Sequence, residues 1–377
     1  MSKIVDTQRA RSWAATMDGH AGGPAIRRAH AGSAPRVGPA STVGREAREA
    51  AEDALLAPGA TRASGPGDRA VAEAPDPMRT CFERDRDRIL HSSAFRRLAG
   101  KTQVFIFPED HQRTRLTHAI EVAQVAVSIA RACRLNVALA EAIALGHDCG
   151  HGPGGHASED ALSPYLAEGY DHAVWGADTV LAPLNLCRET LDGIRNHSWS
   201  RPAPSTPEGE VVSWADRIAY VCHDFEDAVS AGIVTAEALP AVVRERCGMS
   251  RSQQLGALID GVVETVERAG EVGMDEGLAH ALAEFRSCNY QRIYLRPASV
   301  AQAEGVIRVL QALVEYLADR PNLIPEVRRR GGLQAGSDES LRAAVTYVGG
   351  MTDRYAFNRA VADLGWDRDR LPGGVGR

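Results

Sequence analysis

No run of about 18 apolar residues occurs in this sequence of 377 residues, so no membrane-spanning helix is expected. No two of its seven cysteines (Cys81, Cys133, Cys149, Cys187, Cys222, Cys247, Cys288) stand at CxxC spacing. That excludes a zinc knuckle built on such pairs, and an odd, unpatterned set reads as reduced thiols rather than a disulfide frame. Positive charge is not in excess: 43 Lys and Arg stand against 49 Asp and Glu, a formal charge of −6. A strongly basic nucleic-acid platform is therefore not expected, although a local patch stays open. The first residues carry no apolar leader, which with reduced thiols points to the cytoplasm. Residues 1–76 have few large apolar residues and much Ala, Gly, Arg and Pro. Such a stretch cannot bury enough surface to offset its ordering entropy, so it is expected to be a disordered or poorly ordered tail with one short helix near 47–56.

From Pro77 the pattern is mainly helical, and 77–370 reads as one large all-α domain. One helix is expected over 83–98. Thr102 to Phe107 is the one strand-like run, stopped by Pro108. A helix then opens at Arg113 to His118, and the next ends at His147-Asp148, with Gly150 as its stop. Short helices follow over 174–181 and from 188–194 to an end at Asn196-His197. A long one over 211–224 places Asp216, Tyr220 and Asp224 four residues apart on one face. Further helices are expected over 252–269, 275–285, 299–317 and 338–364. No repeat is evident.

The chemistry is densest in His147-Asp148-Cys149-Gly150-His151-Gly152-Pro153-Gly154-Gly155-His156-Ala157-Ser158-Glu159. Few folding reasons place three imidazoles and two carboxylates so close, and divalent metals favour His nitrogen and Asp oxygen. His118, His147, Asp148 and Asp216 make a two-His, two-carboxylate metal site with positions left for water and substrate. Mn, Mg, Fe, Zn and Co all suit such donors. His151, His156 and Glu159 lie beyond those ligands, as groups to orient or deprotonate a water and protonate a leaving group. Cys149 reads as a small packing residue rather than a ligand or nucleophile.

A lone His, an adjacent His-Asp and a distant Asp resemble the signature of the HD-domain metal phosphohydrolases. More narrowly, the chain resembles the deoxyguanosine-triphosphate triphosphohydrolase family. The similar stretches are Arg96-Arg97-Leu98 with Lys101-Thr102-Gln103-Val104-Phe105, Thr114-Arg115-Leu116-Thr117-His118, the His147 to Glu159 stretch, Trp214 to Tyr220 with His223-Asp224, and Gly350 to Ala356. The resemblance covers about residues 80–360. It implies an all-helical HD-domain bundle and hydrolysis of a deoxynucleoside triphosphate, a dGTP-like purine favoured, to deoxynucleoside and inorganic triphosphate. It also implies a divalent metal, Mn or Mg first, and a homo-oligomer, possibly a hexamer. Carried over by position, His156 and Glu159 handle the proton at the attacking water or leaving oxygen. His151 and His172 sit on the phosphates. Arg115 and Arg217 offer positive charge to them, and Gln103, Tyr220 and Asp224 read the sugar.

Departures from the family fall beside the cluster. Gly152-Pro153-Gly154 lacks the usual aromatic residue, which is expected to loosen the pocket. Ala173 follows His172 where the family has an Asn, and Ala99 replaces a Gln. Two other readings stay open: an HD phosphohydrolase acting on a 5′-monophosphate or a modified nucleoside triphosphate, and a nucleotide sensor that does not cleave.

Overall fold

A computed structural model of the protein describes residues 7–108 and 112–373. The chain divides into two compact units, Met1–Val43 and Gly44–Arg377. In the first, helix α1 (Gln8–Ala14) starts where Thr7 accepts a hydrogen bond from Ala10 N. Strands β1 (His20–Gly23) and β2 (Ile26–Arg28) pair antiparallel. None of its described residues is buried, so it has no core of its own.

The second unit begins with α2 (Arg45–Leu55), close to the helix expected from the sequence. The coil that follows is anchored, which corrects the tail boundary from 76 to 43. Ala60 and Ala63 are buried. Thr61 donates through N and Oγ1 to the buried Glu208, at 3.0 and 2.6 Å. Arg69, almost wholly buried, pairs with buried Asp85 at 2.6 Å. The segment is held by buried polar pairs more than by apolar side chains, so a composition argument passes over it.

Helix α3 (Cys81–His91) opens on a capping box between Thr80 and Glu83. Ser92 ends it and caps α4 (Ser93–Arg97), so the expected helix over 83–98 is two. The expected strand 102–107 does not form. Thr102 makes only an isolated bridge to Thr114, and consecutive Phe105 and Ile106 are both buried, against the alternation of a strand. Helices α5 (Arg115–Ala132) and α6 (Val137–Gly146) pack as neighbours across a short link.

Short helices α7 (Ala157–Leu162), α8 (His172–Trp175) and α9 (Arg188–Asn196) follow, with a π-helical turn at Gly176–Val180 after α8. The long α10 (Pro207–Ser230) crosses the first core. Next come α11 (Ala241–Cys247), α12 (Arg251–Ala269) and α13 (Glu276–Asn289), then a second π-helical turn at Tyr290–Tyr294. The chain continues through α14 (Pro297–Ala318), α15 (Pro325–Arg329), α16 (Asp338–Gly349) and α17 (Asp353–Leu364). The expected helix 338–364 is thus interrupted at Gly350–Thr352.

The fold is all-α, with β1 and β2 the only strands among the described residues. One core cluster is built on α3, α5, α6 and α10, and another on α14, α16 and α17. The His147 to Glu159 stretch runs from the first, where Cys149 is buried, to the second, where Ala157 packs. Among the described residues, no helix is long and apolar enough to cross a membrane.

Candidate metal centre

Arg115 and His118 lie one turn apart at the start of α5, both buried. His147 caps the end of α6, where its Nδ1 donates to Ala144 O at 2.6 Å. That leaves Nε2 with its lone pair, buried and without a hydrogen-bond partner. Asp148 follows directly. Gly150 must be glycine because a Cβ there would collide with the His172 carbonyl oxygen, so α8 can approach closely. Asp216 comes from α10.

These elements bring the four expected ligands together. His118 Nε2 lies 3.0 Å from Asp216 Oδ1 and 4.0 Å from Asp148 Oδ2. His147 Nε2 lies 3.4 Å from Asp148 Oδ1 and 3.6 Å from Asp216 Oδ1. Buried imidazole nitrogens and carboxylate oxygens at these separations suit one divalent ion, and the unpartnered His147 Nε2 fits a ligand atom.

The electrostatics favour charged carboxylates. Burial alone would raise the Asp148 pKa, but the Arg115 guanidinium at 2.6 Å and the surrounding imidazoles hold it well below the usual range. Burial is likewise outweighed at Asp216 by the His118 hydrogen bond and His147, which lower its pKa. Glu159 is also lowered, through His156 and His172. Its Oε1 lies 3.3 Å from His156 Nδ1 and 2.5 Å from His172 Nδ1. Burial opposes a charged His172, yet Glu159 overcomes it and raises the pKa. His151, stacked on His172 at 3.7 Å between centroids, is pushed well down by burial and Arg115. His156 alone among these imidazoles is largely exposed. Burial pushes the Cys149 thiol up to about 12, in keeping with a packing residue.

One cavity of about 660 Å³ touches every proposed ligand, catalytic or substrate-binding residue except His147 and Glu159. Gln103 lines it with a buried amide oxygen that has no hydrogen-bond partner. The Arg217 guanidinium lies over the Trp199 ring at 3.3 Å and makes no carboxylate ion pair among the described residues. Arg115 differs, since Asp148 already takes its charge. Tyr220 OH accepts from Arg286 Nε at 2.9 Å. Asp224 is engaged by Arg113 at Oδ1 and by the Tyr294 hydroxyl at Oδ2.

Sequence reasoning passed over His197, Arg286, Tyr294 and Trp199, all of which line the cavity. His197 closes α9 with Nδ1 donating to Ile194 O at 2.8 Å, and its Nε2 stands 3.3 Å from His172 Nε2. A histidine just after a helix was the available signal. Arg286 and Tyr294 come from the last turn of α13, just past the helix expected over 275–285, and from the π-helical turn after it, and nothing in the sequence pattern marks either as facing a site.

The glycine-rich link is clamped in place. Asp353 Oδ1 accepts from Gly154 N at 2.8 Å, and its Oδ2 accepts from Thr102 Oγ1 at 2.5 Å. Buried Lys101 donates to the carbonyls of His151 and Gly349. Gly154 has φ +76° and lies against Val306, whose Cγ1 would be 2.5 Å from an added Cβ. A side chain there would be strained and crowded.

Comparison with known proteins matches residues 115–221 to the HD domain and residues 272–361 to a phosphohydrolase-associated domain. A deoxyguanosinetriphosphate triphosphohydrolase-like protein of Caldanaerobacter subterraneus subsp. tengcongensis is 40% identical over 83% of this chain and 93% of its own length. A protein of the same description from Clostridium perfringens is 41% identical over 76% of this chain and 87% of its own. The crystal structure of a Bacteroides thetaiotaomicron phosphohydrolase aligns at TM-score 0.48 and 15% identity, over 74% of this chain and 69% of that one.

Proposed function

This chain belongs to the deoxyguanosinetriphosphate triphosphohydrolase-like family of HD-domain hydrolases, and from that premise we propose that it cleaves a deoxynucleoside triphosphate to deoxynucleoside and inorganic triphosphate. A dGTP-like purine is the favoured substrate. The observation that carries the reading is the shared cavity: ligand-type residues Asp148, His118 and Asp216 line the same space as Arg217, Tyr220 and Gln103. A site lined by both metal-type and base- or sugar-facing groups suits a nucleotide that brings about four negative charges on its phosphates.

His118, His147, Asp148 and Asp216 hold the metal, with Mn or Mg first and Co, Fe or Zn also compatible. A divalent ion held there would supply Lewis-acid charge for phosphate chemistry. Glu159 sets the orientation of His156 and His172 through its Oε1. His156, exposed and lining the cavity, passes the proton at the attacking water or the leaving oxygen. His151 and His172 form the phosphate-side wall. Arg217, free of a carboxylate, gives charge to the triphosphate, while Arg115 acts mainly by keeping Asp148 ionised. Tyr220 crowds a 2′-hydroxyl, and Gln103 offers its unpartnered amide oxygen to the sugar side. Asp224 contributes with whatever acceptor capacity Arg113 and Tyr294 leave. A homo-oligomer in the cytoplasm completes the proposal, supported in compartment by seven buried, unpaired thiols.

The test is incubation of purified protein with each of the common deoxynucleoside triphosphates under Mn, Mg or Co, with products resolved. Free triphosphate together with deoxynucleoside is expected, most rapidly from a purine. Formation of the nucleoside diphosphate instead sinks the proposal.

A further inference from the structure

Arg217 is asked to meet the triphosphate, yet no carboxylate among the described residues holds its guanidinium in place, and its buried Nε has no hydrogen-bond partner there. What holds it is a ring. The Arg217 guanidinium carbon stands 3.3 Å from the centroid of the Trp199 indole. At that separation only a flat approach fits, because an edge-on guanidinium would drive a nitrogen into the ring. A flat stack leaves the N–H groups pointing sideways in the plane of the fork, where oxygen acceptors reach them. Arg286, which lines the same cavity, is held differently, its Nε donating to Tyr220 OH at 2.9 Å.

The indole is itself fixed. Trp199 Nε1 donates to Ser213 O at 3.0 Å, and the Trp214 ring meets it edge to face at 4.7 Å between centroids. Ser213 and Arg217 stand one turn apart on α10 and share a face. Trp199 spans both, with a hydrogen bond to the first and a stack on the second. It reaches them from the loop after α9, two residues beyond His197. Trp199, Ser213 and Arg217 all line the cavity beside Asp216. Trp199 is 46% exposed and belongs to none of the apolar cores, so packing alone does not account for its place.

We propose that Trp199 is a positioning residue for the triphosphate: its indole face holds the Arg217 guanidinium with its donors turned to the cavity, and it acts through Arg217 rather than on the base. This rests on the functional reading, which puts phosphates beside Arg217. Ordering a long side chain before the substrate arrives removes that cost from binding. The benefit falls on affinity for the phosphates and not on the proton chemistry, which His156 and Glu159 carry.

The experiment is isothermal titration of the full-length protein in Mn(II) with inorganic triphosphate and, separately, with deoxyguanosine, alongside steady-state kinetics with dGTP. Trp199→Leu keeps an apolar side chain without an aromatic face, and Trp199→Phe restores a face. Trp199→Leu is expected to weaken triphosphate binding about 5- to 30-fold, the loss of one cation–π contact, and to raise KM by a like factor with kcat within about twofold. Trp199→Phe should recover most of that loss, and deoxyguanosine should bind all three proteins alike. In an Arg217→Ala background Trp199→Leu should cost nothing more. Equal triphosphate affinity in wild type and Trp199→Leu overturns the proposal. So do additive losses in the double variant, equal losses in the Leu and Phe variants, which mark packing, and a loss confined to deoxyguanosine, which puts the indole on the base. Should the Trp199 variants fail to fold by circular dichroism, Arg217→Lys decides, since it keeps the charge without the flat fork; unchanged triphosphate affinity then overturns the proposal. Product identity is read separately. Release of triphosphate with additive losses defeats this inference alone, and release of a nucleoside diphosphate with Trp199 and Arg217 coupled defeats the functional reading alone.

Discussion

At the scale of single residues, Asp148 carries the most. It meets Arg115 at 2.6 Å, lies beside His118, His147, His151 and His172, and is buried. Asp148→Ala removes a ligand and leaves a buried guanidinium unpaired, so bound metal and turnover should disappear together. His156 is exposed and touches none of the expected ligands closely, so His156→Ala should retain metal while kcat falls by about 10²–10⁴-fold. Equal metal loss in the two variants, measured by elemental analysis, contradicts this division of roles. His197 gives a pH signature in the metal-free protein. Burial and the neighbouring His147 and His172 push its pKa down to about 4. Between that value and the unfolded value of about 6.5 the unfolded chain binds the proton and the folded chain does not, so stability falls as pH falls through this window. The contribution between pH 7 and pH 5 is about 2 kcal/mol. His172, with a raised pKa, works in the opposite sense. Chemical denaturation at the two pH values should therefore show His197→Gln losing less stability than the wild type, and an equal loss contradicts the assignment.

At the scale of elements, the grouping of the four proposed ligands was legible because each sits where helix geometry displays it: the first turn of α5, the end of α6 and one face of α10. Asp353 shows why a distant stretch belongs with the cluster, since its carboxylate clamps Gly154 and Thr102 in place. The interruption at Ser92 was written in the sequence as a cap but masked by continuous helical charge patterning. The run 102–107 has strand-like residues but no strand to pair with, so burial on both sides decided its shape. His197 stayed hidden because one histidine after a helix resembles an ordinary cap, and only its distance to His172 gives it chemistry. The segment 44–76 stayed hidden because its anchors are polar. Glu208 accepts from Thr61 and from Asn136 N at 2.8 Å, and Asp85 also accepts from Cys187 N at 2.7 Å and Thr190 Oγ1 at 2.8 Å. Deleting residues 1–43 should leave the melting temperature nearly unchanged. Deleting residues 1–76 takes the Arg69 cation from buried Asp85 and both Thr61 donors from Glu208, and should cost about 3 kcal/mol or more, read as a lowered denaturation midpoint. Equal stability of the two truncations contradicts the anchoring.

At the scale of the whole molecule, two helical cores meet along the His147 to Glu159 stretch. The proposed metal ligands lie toward the first, and the clamped glycine link leads to the second. The all-α class and the clustering of His118, His147, Asp148 and Asp216 could be read from the chain because they rest on helical periodicity and on side chains of unusual density. The lining contributed by α13 and its π-helical turn depends on long-range packing and could not. The proposed reaction makes one demand on the chemistry: water must enter at the phosphate nearest the nucleoside and the triphosphate must leave whole. The direct test is hydrolysis of dGTP in ¹⁸O-enriched water with Mn(II), followed by ³¹P nuclear magnetic resonance and mass spectrometry of the products. Unbroken triphosphate carrying one ¹⁸O, with an unlabelled deoxynucleoside, is the predicted result; orthophosphate or diphosphate released with a phosphorylated nucleoside would contradict it.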